Sequence, residues 1–184
     1  MSVSTVEHNR LRHNFEGVSS VWLFGYGSLI YKVDFPFLEQ RPATIEGWAR
    51  RFWQGSHDHR GTPEAPGRVV TLIQQPGVRC KGMAYRVSPE VFEHLDVREK
   101  NGYLRFGTPM LFDDGRSAEG LVYIATEDNA AFLGPAPSFD IARQIANSTG
   151  PSGPNSEYLL KLAAALRALG SDDPHVFELE AHLL

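Results

Sequence analysis

The stretch Val21-Trp22-Leu23-Phe24-Gly25-Tyr26-Gly27-Ser28-Leu29-Ile30 constrains this chain more than any other: an apolar run breaks at two glycines around a tyrosine, then resumes. A short apolar run bounded by glycine predicts a buried strand, and the glycines predict a tight turn at its end. With no Cβ, glycine lets backbone N–H groups come close to a ligand. N–H groups that converge on one point form a nest for a carboxylate or phosphate. Residue types alone leave this turn open as an anion site or as a purely structural bend. Three better-known glycine motifs are excluded. G-x-G-x-x-G fails at Ile30, no Gly-Lys-Ser/Thr occurs, and G-x-S-x-G fails because Ser28 directly follows Gly27.

At 184 residues the chain can bury a real core as one domain, expected over 21–184, with residues 1–20 as a loosely held polar extension. A net charge of -4 and a pI near 6.0 supply no basic face for nucleic acid. The lone cysteine, Cys80, excludes an internal disulfide and any multi-cysteine zinc site, which fits a reducing compartment. No apolar run approaches the ~20 residues of a membrane helix, so the expected address is cytoplasmic, with no membrane partner.

Beyond the glycine turn, Lys32 to Arg41 holds Pro36 and reads as an irregular connection. Ala43 to Gln54, Arg68 to Gln74 and Lys81 to Val87 are rich in β-formers and predict three strands. The polar loop Gly55 to Gly67 lies between the first two, and a loop of that length is more often functional than a short one. Ser88-Pro89-Glu90 predicts a helix start, with serine as N-cap and proline at the first helical position. On that helix Phe92, Leu95 and Glu99 share one face with Val91 at its margin, whereas Glu93, Asp96 and Lys100 are expected on the solvated side, Asp96 pairing with Lys100. Strands are expected again at Tyr103 to Phe112 and Gly120 to Thr126, joined by the turn Asp113-Asp114-Gly115. The last third predicts helices over Phe139 to Asn147, Glu157 to Leu169 with Gly170 as terminator, and Pro174 to Leu183 with Asp173 as N-cap, with a turn-rich joint over Pro151 to Asn155. Mixed strands followed by helices suggest an α+β fold.

A carboxylate on the buried side of a helix resists ionisation, so Glu99 is the leading candidate for a general base. The run Arg98-Glu99-Lys100 also allows a solvated helix-terminal glutamate paired with its neighbours. His57-Asp58-His59 has the donor types of a zinc or iron site, but three adjacent loop residues do not readily converge on one ion, and no distant cluster completes a set. No motif places a serine beside a base, and Cys80 has no thiolate-lowering signature. Arg50, Arg51, Arg60 and Arg68 have the chemistry to hold a substrate carboxylate, although each taken singly is expected on the surface.

Several stretches together resemble the ChaC-type, glutathione-specific γ-glutamylcyclotransferases. They are Trp22 to Ile30, Arg50 to Ser56, Asp58 to Pro63 and Pro66 to Leu72, then Leu95-Asp96 with Arg98-Glu99-Lys100, and Gly102-Tyr103. Leu133 to Pro137 and Gly150 to Gly153 follow, with Asn155, Glu157, Tyr158 and Leu159. The resemblance spans about residues 21–160 in order. It implies a γ-glutamylcyclotransferase-like mixed β-barrel with flanking helices and a helical C-terminal segment. It also implies conversion of the small molecule glutathione to 5-oxoproline and cysteinylglycine, without metal or cofactor. The family's catalytic glutamate falls on Glu99, and its γ-glutamyl-holding loop on Gly25, Tyr26, Gly27, Ser28, Leu29 and Ile30. Tyr31, His57, Asn101 and Phe132 depart from the residues common in the family, and none removes a mapped functional group.

Overall fold

The computed structural model describes residues 17–99 and 102–184. Residues 1–16 of the expected extension, and Lys100 with its expected partnership to Asp96, lie outside the described residues.

Five strands close into a barrel in the order β1-β3-β2-β4-β5. They are β1 (Val21–Gly25), β2 (Glu39–Ser56), β3 (Gly67–Val87), β4 (Tyr103–Phe112) and β5 (Ser117–Ala125). Neighbours run antiparallel except at the closure, where Leu23 of β1 pairs parallel with Leu121 of β5. The barrel is therefore mixed. Alternate residues of a strand face opposite sides, and the apolar run of β1 is explained by burial on both: Phe24 joins the main core with Ala84, Val122 and Ile124, while Leu23 joins a second cluster with Tyr85, Leu121 and Tyr123. The second cluster is roofed by Phe92 and Leu95 of α1 (Val91–Arg98). The remaining helices, α2 (Ser138–Ala146), α3 (Asn155–Ala168) and α4 (Pro174–Leu183), cover the main core through Ile141, Leu159, Leu162 and Leu179.

Two expected strands are one. Arg68 to Gln74 and Lys81 to Val87 belong to the single strand β3, which pairs along β2 from Ser56↔Gly67 to Glu39↔Arg86. The register slips between Glu46 and Trp48, where Gln74 to Gly77 stand exposed and Gly47 and Gly77 both take a φ of +84°. Pro76-Gly77 thus makes a protrusion within a strand rather than a break between two. β2 also starts at Glu39, inside the segment expected to be irregular, and β5 starts at Ser117, three residues before its expected beginning.

Helix α1 begins at Val91, with Glu90 before it, rather than at Pro89 after a Ser88 cap. The Val91, Phe92 and Glu93 N–H groups donate three residues back, to Ser88, Pro89 and Glu90, so a tight turn replaces the expected serine cap. Asp96 corrects the wheel more seriously. It is 6% exposed and paired inside the protein with Arg105, because a residue four places after Phe92 lies only about 40° around the helix from it. The C-terminal helices follow the expected punctuation, with Asp173 accepting from Val176 N at 3.2 Å and Gly170 at φ +71° ending α3. The turn-rich joint before α3 is a small ribbon, β6 (Thr149–Gly150) against β7 (Gly153–Pro154).

Candidate active site

The turn after β1 is shaped by space. A Cβ at Gly25 would lie 2.8 Å from Leu29 Cβ, and one at Gly27 would lie 2.8 Å from Val70 Cγ2 and 3.0 Å from Tyr158 Oη. Both are tighter than real side chains tolerate, so glycine is required for close approach, and Ser28–Ile30 then winds into one 3₁₀ turn closed by Ile30 N–H to Gly27 O at 3.0 Å.

A cavity of about 460 Å³ opens beside this turn, and Ser28, Ser56, Arg60, Glu99, Tyr103 and Tyr158 are among its walls. An inner recess of about 50 Å³ is lined by Tyr26, Gly27, Leu29 and Tyr123. Ser28, Glu99, Tyr103 and Tyr158 line both spaces, which places Glu99 where they meet. Of the turn residues singled out by sequence, Tyr26, Gly27, Ser28 and Leu29 reach the recess or cavity. Gly25 contributes the space that lets the turn fold, and Ile30 packs against the main core.

Glu99 is the C-cap of α1, its N–H bonded to Leu95 O at 2.8 Å. Its side chain stays on the face of Phe92 and Leu95 and is 19% exposed. Burial pushes its pKa from 4.5 up to about 7, with Asp58 and Asp34 adding to the rise and Arg98 opposing it. Arg98 Nε lies 3.8 Å from Glu99 Oε1, but Arg98 also donates to Asp34 at 2.7 Å and reaches Ser28 Oγ at 3.5 Å. The helix-terminal pairing with Arg98 that the sequence also allowed is present, but withdrawn from solvent rather than solvated, and it leaves an acid near neutrality, suited to taking up and returning a proton.

Tyrosines close the site. Burial raises the pKa of Tyr26, Tyr103, Tyr123 and Tyr158, and the negative charge of Glu99 adds to each, so all four remain phenols. Tyr26 Oη donates to Tyr123 O at 2.5 Å and Tyr103 Oη to Val70 O at 3.2 Å, while Tyr158 Oη accepts Val70 N–H at 3.2 Å. Tyr158 thus keeps its own proton for donation. Beneath them Tyr123 Oη donates to Asp96 at 2.5 Å, and Asp96 stands 3.2 Å from Arg105 Nε. Sequence reasoning missed this layer. Tyr123 sits in an apolar strand and Arg105 in another, and nothing local marks either as part of a site.

Three of the four arginines expected on the surface are buried, with Arg50 2%, Arg60 5% and Arg68 7% exposed. Arg50 donates to Asp173 at 3.0 Å, and Arg68 to Gln144, Phe52 O and Gly134 O, so both tie elements together. Arg60 alone of these three lines the cavity. His59 Nδ1 lies 3.3 Å from Ser152 Oγ, and among the described residues no group of three His, Cys, Asp or Glu is arranged to hold a metal ion. No helix among them is long and apolar enough to cross a membrane.

The profile of the family described as ChaC-like protein matches residues 21–184. The γ-glutamylcyclotransferase 2-3 of Arabidopsis thaliana is 48% identical over 172 residues, covering 87% of this chain and 86% of its own. The glutathione-specific γ-glutamylcyclotransferase 1 of Danio rerio is 46% identical, covering 91% of each chain. A crystal structure of the selenomethionine-labelled γ-glutamylcyclotransferase specific to glutathione from yeast matches with a TM-score of 0.83 at 36% identity, over 90% of this chain and 96% of that one.

Proposed function

Because the chain belongs to the ChaC-like family, we propose that it is a γ-glutamylcyclotransferase that cleaves glutathione to 5-oxoproline and cysteinylglycine, with Glu99 as general acid and base. The observation that carries this reading is a carboxyl group with a pKa of about 7, set where the cavity meets the recess and beside the Gly27-Ser28 turn. Relatives of 46% and 36% identity that are named for glutathione support the substrate.

The substrate's α-amine attacks its own γ-carbonyl carbon. A lactam C–N bond forms, the γ-amide C–N bond breaks, and the cysteinyl nitrogen leaves. Nucleophile and electrophile share one molecule, so the enzyme's first task is to hold the folded conformer, for which effective molarity is worth on the order of 7–11 kcal/mol. Ionised Glu99 takes the proton that the amine loses on attack and returns it to the departing nitrogen, so the carboxylate is regenerated each turnover. In this reading backbone N–H groups of the glycine turn and the Tyr158 hydroxyl, which lines both the recess and the cavity, bind the glutamyl carboxylate or the developing oxyanion. No redox group or enzyme nucleophile enters the balance. A cytoplasmic address fits a single cysteine that is buried.

Incubation of the purified protein with glutathione should release 5-oxoproline and cysteinylglycine in equal amounts, identified by mass spectrometry. Absence of both products would overturn the reading. The Arabidopsis relative's name does not specify glutathione, so simple γ-glutamyl dipeptides belong in the same assay, and turnover of those alone would reassign the substrate.

A further inference from the structure

Resting on that reading, we infer that Arg60 is the specificity-determining cation of the cavity and receives the glycyl carboxylate at the far end of glutathione. Beyond the scissile nitrogen the tripeptide continues for two residues, a reach of about 7 Å, and its one permanent charge there is the terminal carboxylate. Among the described residues, the lysine and arginine side chains lining the cavity are Lys32, Arg60 and Arg98. Arg98 is already engaged, bonded to Asp34 and Ser28 and next to Glu99. Lys32 is exposed and solvated.

Arg60 is different because it is buried, rigidly held and still turned to the cavity. Its Nη1 donates to Pro154 O at 3.1 Å and to Glu157 Oε1 at 3.3 Å, and its guanidinium carbon lies 5.8 Å from the centre of the Tyr158 ring. The loop that carries it is locked in place. Arg60 N–H donates to Ser56 Oγ at 2.9 Å, Ser152 N–H to His59 O at 2.8 Å, and a Cβ at Gly150 would lie 2.4 Å from that same oxygen. Among the described residues Nη1 makes both of the guanidinium's geometric hydrogen bonds, the buried Tyr31 hydroxyl stands near the same group, and the nitrogens that remain supply the planar donor fork that suits a carboxylate. Charge points the same way. Glu157 is shared between Arg60 and Lys161 at 3.5 Å, so the three groups together carry one excess positive charge that a bound carboxylate would balance. The Tyr158 ring has Arg60 against it and also lines the recess with Glu99, which sets the cation one aromatic ring away from the chemistry.

The test measures 5-oxoproline release from glutathione and from glutathione glycyl ethyl ester, whose terminal carboxylate is neutralised, by the wild type, Arg60→Gln and Glu157→Gln. The wild type should show a KM for the ester about tenfold or more above that for glutathione, in line with loss of one charge-assisted hydrogen-bonded pair. Arg60→Gln should raise the KM for glutathione to the ester's value, leaving kcat and the ester's own KM unchanged. Glu157→Gln loosens the same loop-to-helix tie but spares the cation, and should keep the preference for glutathione. Equal KM values for both substrates in the wild type, or an equal rise for both in Arg60→Gln, would overturn the assignment. If Arg60→Gln does not fold, Arg60→Lys is read by the same criterion: a KM rise for glutathione alone supports the proposal, and an equal rise for both substrates defeats it. A wild type that releases no 5-oxoproline from either substrate overturns the cyclotransferase reading and this proposal with it, an outcome distinct from a loss of discrimination.

Discussion

Three residues apart at the end of α1, Asp96 and Glu99 are both withdrawn from bulk water yet keep very different company. Asp96 meets Arg105 at 3.2 Å and the Tyr123 hydroxyl at 2.5 Å, and the Arg105 guanidinium lies 5.4 Å from the Phe92 ring centre. Glu99 stands 3.8 Å from Arg98, whose shorter contact is with Asp34, and its pKa rises to about 7 because burial outweighs the opposing charge of Arg98. Tyr123 links the two by bonding one acid and lining the recess of the other. Burial alone therefore does not decide whether a carboxylate can exchange a proton. A carboxylate matched by a buried cation is a fixture of the fold, and one whose burial exceeds its compensation is left able to exchange a proton near neutral pH.

The largest expected effect tests the exchanging acid. Glu99→Gln is nearly isosteric but cannot accept a proton, so kcat for 5-oxoproline release should fall by on the order of 10²–10⁴ with the far-UV spectrum unchanged. Full activity in this variant would remove Glu99 from the mechanism. The fixed acid should respond in stability instead. Arg105→Met strands a buried carboxylate and should cost about 3–5 kcal/mol in chemical denaturation, whereas Asp96→Asn combined with Arg105→Met should lose less, since no buried charge is left without its cation. A loss below about 1 kcal/mol for the single change would place Asp96 among weak, solvated pairs and erase the contrast with Glu99.

The withdrawal of Glu99 from solvent was legible in the sequence and that of Asp96 was not. Glu99 declares itself because it extends the stripe of Phe92 and Leu95, a short-range regularity that survives folding. The glycine turn, the Asp113-Asp114-Gly115 hairpin and the Asp173 cap are likewise local, and each stands where its chemistry predicts. Asp96 sits at the margin of the same stripe, and only its partners on β4 and β5 decide that it is buried. Arg50 repeats the lesson. Its carboxylate is Asp173, 123 residues later in the chain, so no window of sequence can show that its charge is met inside the protein. The union of two expected strands into β3 fails for the opposite reason: Pro76-Gly77 is a strong local signal, and the long pairing with β2 overrides it.

A smaller effect separates stability from catalysis at Glu99. Its folded pKa of about 7 lies above the ordinary 4.5, so the folded state holds a proton over this interval that the unfolded state has lost. Stability contributed by the neutral acid is full below pH 4.5 and is lost as pH rises to 7, by about 3 kcal/mol in total. Glu99→Gln has no proton to lose. It should match the wild type in thermal unfolding near pH 4 and exceed it near pH 8, a gain in stability accompanying the loss of activity. A variant less stable than the wild type at pH 8 would mean that the ionised carboxylate is well compensated after all, like that of Asp96.

The finest test adjusts the balance at Glu99 without removing it. Arg98 lowers the Glu99 pKa and Asp34 raises it, so the two neighbours should move the acid limb of kcat/KM in opposite directions. In the wild type that limb should fall below about pH 7, because protonated Glu99 cannot accept the amine proton. Arg98→Met removes the opposing cation and should shift the limb to higher pH, and Asp34→Asn should shift it to lower pH by removing a like charge and releasing Arg98 towards Glu99. Both variants should change the rate at pH 6 by less than about tenfold, since burial, the first cause of the shift, is untouched in either. A limb that stays fixed in both would mean that it belongs to another group, such as the substrate amine. In that case the distinction between a fixed and an exchanging carboxylate on α1 would rest on geometry alone.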